Sequence, residues 1–161
     1  MQTLLNQLEA ARTQTHATQK KVEELEALLH MGKVAADVLG FDEAATRKRL
    51  IDTGLASVGW DVGIRGAETQ EVTQEELVLH QPTETGTGYA DYVLWDDNGL
   101  PLAVVEAKKT SKKAEIGQEQ ARLYADGLEK MHGQRPIIFY TNGFDIFIWD
   151  DAQGYPPRQI Y

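Results

Sequence analysis

The stretch GYADYVLWDDNGLPLAVVEAKKT, Gly88 to Thr110, places two runs of strand-forming residues on either side of Asn98-Gly99. Asn-Gly between such runs is a strong hairpin signal, because both residues tolerate the positive φ of a two-residue type I′ turn. A turn of that kind sets the register of its strands. Asp97 pairs with Leu100, Pro101 falls opposite Asp96, and Asp91 stands opposite Glu106. Pro101 then occupies a non-hydrogen-bonded site, where its missing N–H costs no ladder bond. Because side chains alternate with period two, Asp91, Val93 and Trp95 share a face with Leu102, Val104, Glu106 and Lys108. An apolar run, Leu102 to Val105, thus ends where two carboxylates and one ammonium converge.

Two acids opposed across a ladder lie about 5.5 Å apart at Cα and repel unless a cation sits between them. Lys108 offsets part of that repulsion, and a divalent cation offsets more. Mg²⁺ suits the site, with Mn²⁺ as the alternative, since it takes hard oxygen ligands and keeps waters for a substrate phosphate. Asp91 and Glu106 are therefore the candidate ligands. Lys108 is the group placed to orient a water or to stabilise charge growing on a phosphoryl centre. That constellation fits phosphodiester hydrolysis. On spacing alone, the solvated rim of a sheet is the commoner reading of a charged strand end. The abrupt change from apolar to charged, the register and the helix directly downstream favour the site.

Charge along the 161 residues is uneven, although the net value is -9. From Lys108 to Arg135 seven basic residues (108, 109, 112, 113, 122, 130, 135) meet four acidic ones, whereas Asp61 to Glu106 holds ten acidic residues against Arg65. A whole surface built to capture a polyanion is excluded, but a local basic surface is not. There is no cysteine, so neither disulfides nor thiolate metal sites arise, and there is no apolar leader or membrane-length run. The expectation is a cytoplasmic protein with no membrane association. The four histidines lack ligand spacing, and Trp60, Trp95 and Trp149 read as core or sheet-face residues.

Along the chain, Leu4, Leu8, Ala11, Thr15, Thr18, Val22, Leu25 and Leu29 are spaced alternately four and three apart. This is the a/d seam of a coiled coil. The seam is weak in its middle, so the helix over residues 1–39 calls for a partner, either a second copy or another part of a larger chain. A lone amphipathic helix is the plainer alternative. From Gly40 a globular domain is expected. Asp42 caps a helix bearing Ile51, Leu55 and Val58, followed by short strands at Trp60–Ile64 and Leu77–Leu79 around a polar, poorly patterned Glu68–Glu76. A loop spans Pro82–Gly88. After the hairpin come a helix over about Lys113–Met131 and a second hairpin turning at Asn142-Gly143. The fold class is α/β, one mixed sheet flanked by helices over residues 40–155 and preceded by a long N-terminal helix. Residues 156–161 read as a linker, with no element expected after Pro156-Pro157.

YADYVL…VVEAKKT resembles the PD-(D/E)xK nuclease signature, and its setting resembles the N-terminal nuclease domain of the restriction (R) subunit of type I restriction-modification enzymes. The likeness spans about Phe41 to Tyr161 and includes DEAATRKRLIDTGLASVGW, QARLY and PIIFYTNGFDIFIWDD. It implies a restriction-endonuclease-like sheet, with Asp91 and Glu106 as metal-binding acids, Lys108 as the motif lysine and the carbonyl of Ala107 as a further ligand. It also implies that Glu43 leans toward the site from the first helix. Gln120 and Tyr124 match a Q-x-x-x-Y motif facing DNA or the site. Ala90 stands where the signature has proline. The resemblance further implies double-stranded DNA as substrate, modification and specificity subunits as partners, and ATP acting through a translocase region. No G-x-x-x-x-G-K-[ST] loop is present, so this chain is expected to be a fragment of such a subunit. Two other readings stay open: a docking or oligomerisation module acting through the N-terminal helix, and a stand-alone resolvase or repair nuclease.

Overall fold

The computed structural model describes residues 2–38, 50–63 and 69–160. The chain divides into two compact units, Met1–Leu39 and Gly40–Tyr161. The first is helix α1, Gln2–Val38. Val22, Leu25 and Leu29 of the expected seam are exposed along it, and Thr18 spends its hydroxyl on the Gln14 carbonyl one turn back, at 2.8 Å. Among the described residues no helix is long and apolar enough to cross a membrane.

The second unit is built on six strands: β1 Val72–Leu79, β2 Thr87–Trp95, β3 Pro101–Ala107, β4 Ile137–Thr141, β5 Ile146–Trp149 and β6 Arg158–Gln159. They lie side by side in chain order. All neighbours are antiparallel except β3 and β4, which run parallel. A parallel pair needs a crossover. Here it is a 3₁₀ turn, Ala114–Gly117, leading into helix α3, Gln118–His132, while a short helix α2, Asp52–Ser57, precedes the sheet. The mixed sheet flanked by helices is the fold class read from the sequence.

Each face of the sheet has its own core. One gathers Val78, Val93, Val104, Ile138 and Tyr140 against Ala121, Ala125 and Leu128 of α3. The other gathers Val72, Tyr92, Leu94 and Val105 with Ile51, Leu55 and Trp60. Full burial of a side chain such as Leu128, at 0% exposure, contributes about 1.5–3 kcal/mol. Trp95 and Trp149 pack at the edge of the first core, as sheet-face residues. The Tyr92 hydroxyl donates to Asp52 Oδ1 at 2.6 Å and ties α2 to the sheet. Tyr92→Phe should therefore lower unfolding stability by about 1–2 kcal/mol, as measured by urea titration. An unchanged midpoint would show that the bond carries no net stabilisation.

Several local expectations are corrected. Val72–Glu76, expected to be unpatterned, belongs to β1. It is an edge strand whose outer side is solvated, and Glu75 at φ 51 breaks its alternation. No strand forms over Trp60–Gly63, where the Trp60 N–H instead bonds the Leu55 carbonyl, while Ile64 lies outside the described residues. Val58 is exposed rather than part of an apolar stripe. The second hairpin turns over four residues, Asn142 to Asp145, because Asn142 Oδ1 accepts the Phe144 and Asp145 N–H groups. After Pro156-Pro157 the chain does form an element, since Arg158 and Gln159 pair with β5.

The first hairpin also departs from a two-residue turn. The Asp96 carboxylate accepts the Asn98 and Leu100 N–H groups at 2.8 and 3.0 Å, and Gly99 takes the positive φ of 73°. Trp95, not Asp96, faces Pro101. Leu102 is then an extra residue in β3, a bulge that returns Leu94 to Ala103, Val93 to Val104 and Tyr92 to Val105. Two local departures cancel, and the register expected beyond the turn is the one observed.

Candidate active site

The last ladder pair between β2 and β3 is Tyr92 with Val105, so one residue further on Asp91 comes level with Glu106. The backbone changes phase at this point. Val72 and Val78, an even number of residues apart on β1, lie in different cores, and Ala90 and Val93 on β2 lie in the same one. Both steps occur at the level of Glu75 and Asp91, between the pairs Gln74–Tyr92 and Glu76–Ala90. Asp91 sits on the step, and its Oδ2 accepts the Ala107 N–H of β3 at 2.6 Å.

Glu106 is only 3% exposed, and its Oε1 accepts Lys108 Nζ at 2.8 Å. An ion pair this secluded is held where Coulomb attraction is weakly screened, and breaking one side strands the other. The ammonium reaches further, donating to Gln120 Oε1 at 3.0 Å. The Gln120 amide in turn donates to the Tyr124 hydroxyl at 2.9 Å. Gln120 and Tyr124 stand one turn apart on α3, so a single helical face completes a chain of contacts running Glu106, Lys108, Gln120, Tyr124. Burial first, and the nearby Glu106 and Asp91 carboxylates after it, push the Tyr124 phenol up, against the lowering effect of the Gln120 bond. Tyr124 therefore stays a neutral hydroxyl that lies within the field of both acids.

Backbone contacts hold the end of β3 in place. Ala107 pairs with Thr141 of β4, and the Lys108 N–H donates to the Thr141 carbonyl at 2.8 Å. Two glycines with no motif status let the parts approach. A Cβ on Gly117 would lie 3.1 Å from Glu106 Cγ, and one on Gly88 would lie 2.8 Å from the Tyr124 ring. Sequence reasoning gave neither a role. The only available signal was a glycine immediately before a helix and another opening a strand.

Asp91, Glu106, Ala107, Lys108, Gln120 and Tyr124 are thus brought to one place, whereas Glu43 lies outside the described residues. Among the described residues no group of three or more His, Cys, Asp or Glu side chains gathers around a possible ion. The donor set nevertheless fits Mg²⁺, which binds through one or two carboxylates and otherwise keeps water. A carboxylate offers about four lone-pair sites on its two oxygens, so a group that accepts a hydrogen bond can also ligate a cation.

Residues 68–156 match the family described as type I restriction enzyme R protein N terminus. A curated relative, the type I restriction enzyme EcoAI endonuclease subunit of Escherichia coli, is 43% identical over 63 residues, which make up 39% of this chain and 7% of the relative. In fold, the chain is similar to a fragment assigned as an HsdR subunit of a type I restriction enzyme from Vibrio vulnificus YJ016. That likeness has a TM-score of 0.52 at 23% identity and covers 74% of this chain and 22% of the other. The chain therefore spans 7% of the curated relative and 22% of the solved chain, less than a quarter of either.

Proposed function

Since the chain belongs to the type I restriction enzyme R protein N-terminal family, we propose that its second unit is a Mg²⁺-dependent endonuclease domain. It hydrolyses phosphodiester bonds of double-stranded DNA inside an ATP-dependent restriction complex. The observation that carries the reading is the buried Glu106–Lys108 pair, with Asp91 bound to the peptide N–H between them and Gln120 held on the ammonium.

Asp91, Glu106 and the Ala107 carbonyl would hold the cation, with Mn²⁺ able to replace Mg²⁺. Bound there, the ion supplies Lewis acidity toward a phosphoryl oxygen and makes hydroxide accessible near neutral pH. Lys108 supplies the rest of the positive charge, fixed in advance by Glu106 and Gln120, at the side of the site where charge develops during attack on phosphorus. Gln120 keeps the ammonium from swinging into solvent. Tyr124, neutral and buried, holds Gln120 in turn. The acidic balance of the chain fits DNA delivered by a motor elsewhere in the complex, with sequence choice and methylation belonging to specificity and modification subunits. The exposed Val22, Leu25 and Leu29 of α1 fit a seam that closes on a second helix.

Metal linkage tests the site directly. Millimolar Mg²⁺ or Mn²⁺ should raise the melting temperature of the wild-type chain, by an amount equivalent to about 2.7 kcal/mol at a hundredfold excess over Kd. Asp91→Asn, which keeps an acceptor for the Ala107 N–H, and Glu106→Gln should each abolish the rise. A wild-type protein indifferent to both metals, or variants that respond as it does, would refute the reading.

A further inference from the structure

The segment between β3 and α3 leaves the site at Lys108 and returns to it at Gly117, where an added Cβ would lie 3.1 Å from Glu106 Cγ and 3.5 Å from Lys108 Cε. In between it carries Lys109, Lys112 and Lys113. Lys109 is half-buried, while Lys112 and Lys113 are exposed. The loop is braced rather than loose. The Lys112 N–H bonds the Lys109 carbonyl at 2.9 Å, Asn142 Nδ2 donates to the Lys112 carbonyl at 2.9 Å, and Thr110 and Ala114 are buried beneath it.

These lysines differ from the arginines nearby. Arg122 is committed to Glu119 and Asp126, and Arg135 to Asp126, Glu129 and Asp151. Among the described residues no carboxylate lies within ion-pair distance of Lys109, Lys112 or Lys113. In a chain of net charge -9, three uncommitted cations on one braced loop beside the candidate site form a local exception to the overall repulsion of polyanions.

We propose that Lys109, Lys112 and Lys113 form a phosphate-docking edge that seats the backbone of a DNA duplex against the Asp91–Glu106–Lys108 site. The proposal rests on the nuclease reading for its choice of polyanion. The contacts are to phosphate, so they position the duplex without selecting sequence. Each lysine that meets a phosphate releases condensed counterions, and the affinity contributed this way falls with salt.

The test is binding of a short nonspecific duplex by the 161-residue chain, followed by fluorescence anisotropy over a salt series. The triple substitution Lys109→Gln, Lys112→Gln, Lys113→Gln changes side chains only and leaves every backbone bond of the loop available. It should weaken binding at low salt at least about tenfold and flatten log K against log salt by about two to three units. Each single substitution should take roughly a third of that change in slope. Lys130→Gln, exposed at the far end of α3, should leave both unchanged. The Mg²⁺-induced rise in melting temperature should persist in the triple variant, which separates failure of docking from failure of the metal site. Equal affinity and slope in wild type and triple variant, an equal loss in Lys130→Gln, or no duplex binding by wild type at low salt would each overturn the proposal.

Discussion

Lys108→Ala should abolish most DNA cleavage by a reconstituted restriction complex supplied with ATP and Mg²⁺, by about 10²–10³-fold in rate. That is the usual loss on removing one preorganised group that stabilises developing charge. The expectation follows from how the ammonium is held. It is 14% exposed, bonded to a carboxylate that is 3% exposed and to the Gln120 amide oxygen. Its position is set before substrate arrives, so little reorganisation remains for the reaction itself. Arginine is not an equivalent replacement, because its planar fork cannot take the place of a point charge set between Glu106 and Gln120.

A second effect runs in parallel. Removing Lys108 leaves the Glu106 carboxylate secluded without its counter-charge, and stranding one half of a buried pair costs about 3–5 kcal/mol when nothing replaces it. A bound divalent cation can replace it. The metal-free variant should therefore melt well below wild type, and Mg²⁺ should recover more stability in the variant than in wild type. Together these readouts distinguish a chemical role from a structural one. Lost cleavage in a variant whose stability Mg²⁺ restores is the expected pair. Cleavage at the wild-type rate by Lys108→Ala would remove the lysine from the mechanism. Losses that vanish once the melting temperature is matched would reduce it to a packing role.

The part of this site that could be read from the sequence came from period and register. A two-residue turn predicts Asp91 level with Glu106, and the two are level, but by a different route. Asp96 captures two backbone N–H groups and widens the turn, and Leu102 bulges out to restore the pairing. An aspartate at the first position of a turn competes for the backbone in a way that an Asn-Gly rule does not weigh. Of strand β1 only Leu77–Leu79 reads as a strand in the sequence, for a related reason. Its phase step at Glu75, with φ at 51°, puts Val72 and Val78 in opposite cores, so no single alternation runs through its length. The same step occurs in β2 at Asp91. Irregularity that conceals a strand from pattern reading is what moves an acid off the regular pleat and onto the neighbouring N–H. The helix face of Gln120 and Tyr124 was legible as an i, i+4 pair. Its contact with Lys108 was not, since that depends on how closely α3 approaches the sheet.

That approach is governed by Gly127, and Gly127→Ala should destabilise the domain markedly. In an exposed helix interior, glycine to alanine gains about 1 kcal/mol, so propensity alone predicts a more stable protein. Packing predicts the reverse. A Cβ at this position would lie 2.5 Å from the Leu79 carbonyl oxygen, 2.5 Å from Val78 Cγ1 and 2.5 Å from Gln81 Nε2. The first of these is backbone of β1 and cannot rotate away. Gln81 is itself fixed, donating to the Leu79 and Leu123 carbonyls at 3.2 and 3.0 Å. Helix and edge strand must separate, and overpacking of this kind costs about 1–3 kcal/mol or more. Three contacts at 2.5 Å, one of them to backbone, put the cost at the upper end of that range, so after the propensity gain the net loss should be about 2 kcal/mol, a fall in melting temperature of about 5–10 °C. Gly54→Ala supplies the opposite case on the same chain. It lies in α2 with nothing within 4 Å of its Cβ position, so there propensity should prevail and the melting temperature should rise slightly. If the two substitutions shift stability in the same direction, the close seating of α3 on β1 is wrong, and with it the placement of Gln120 against Lys108. If Gly127→Ala falls as expected, displacement of α3 should also loosen the lysine, and cleavage should drop in that variant even at temperatures where it remains folded.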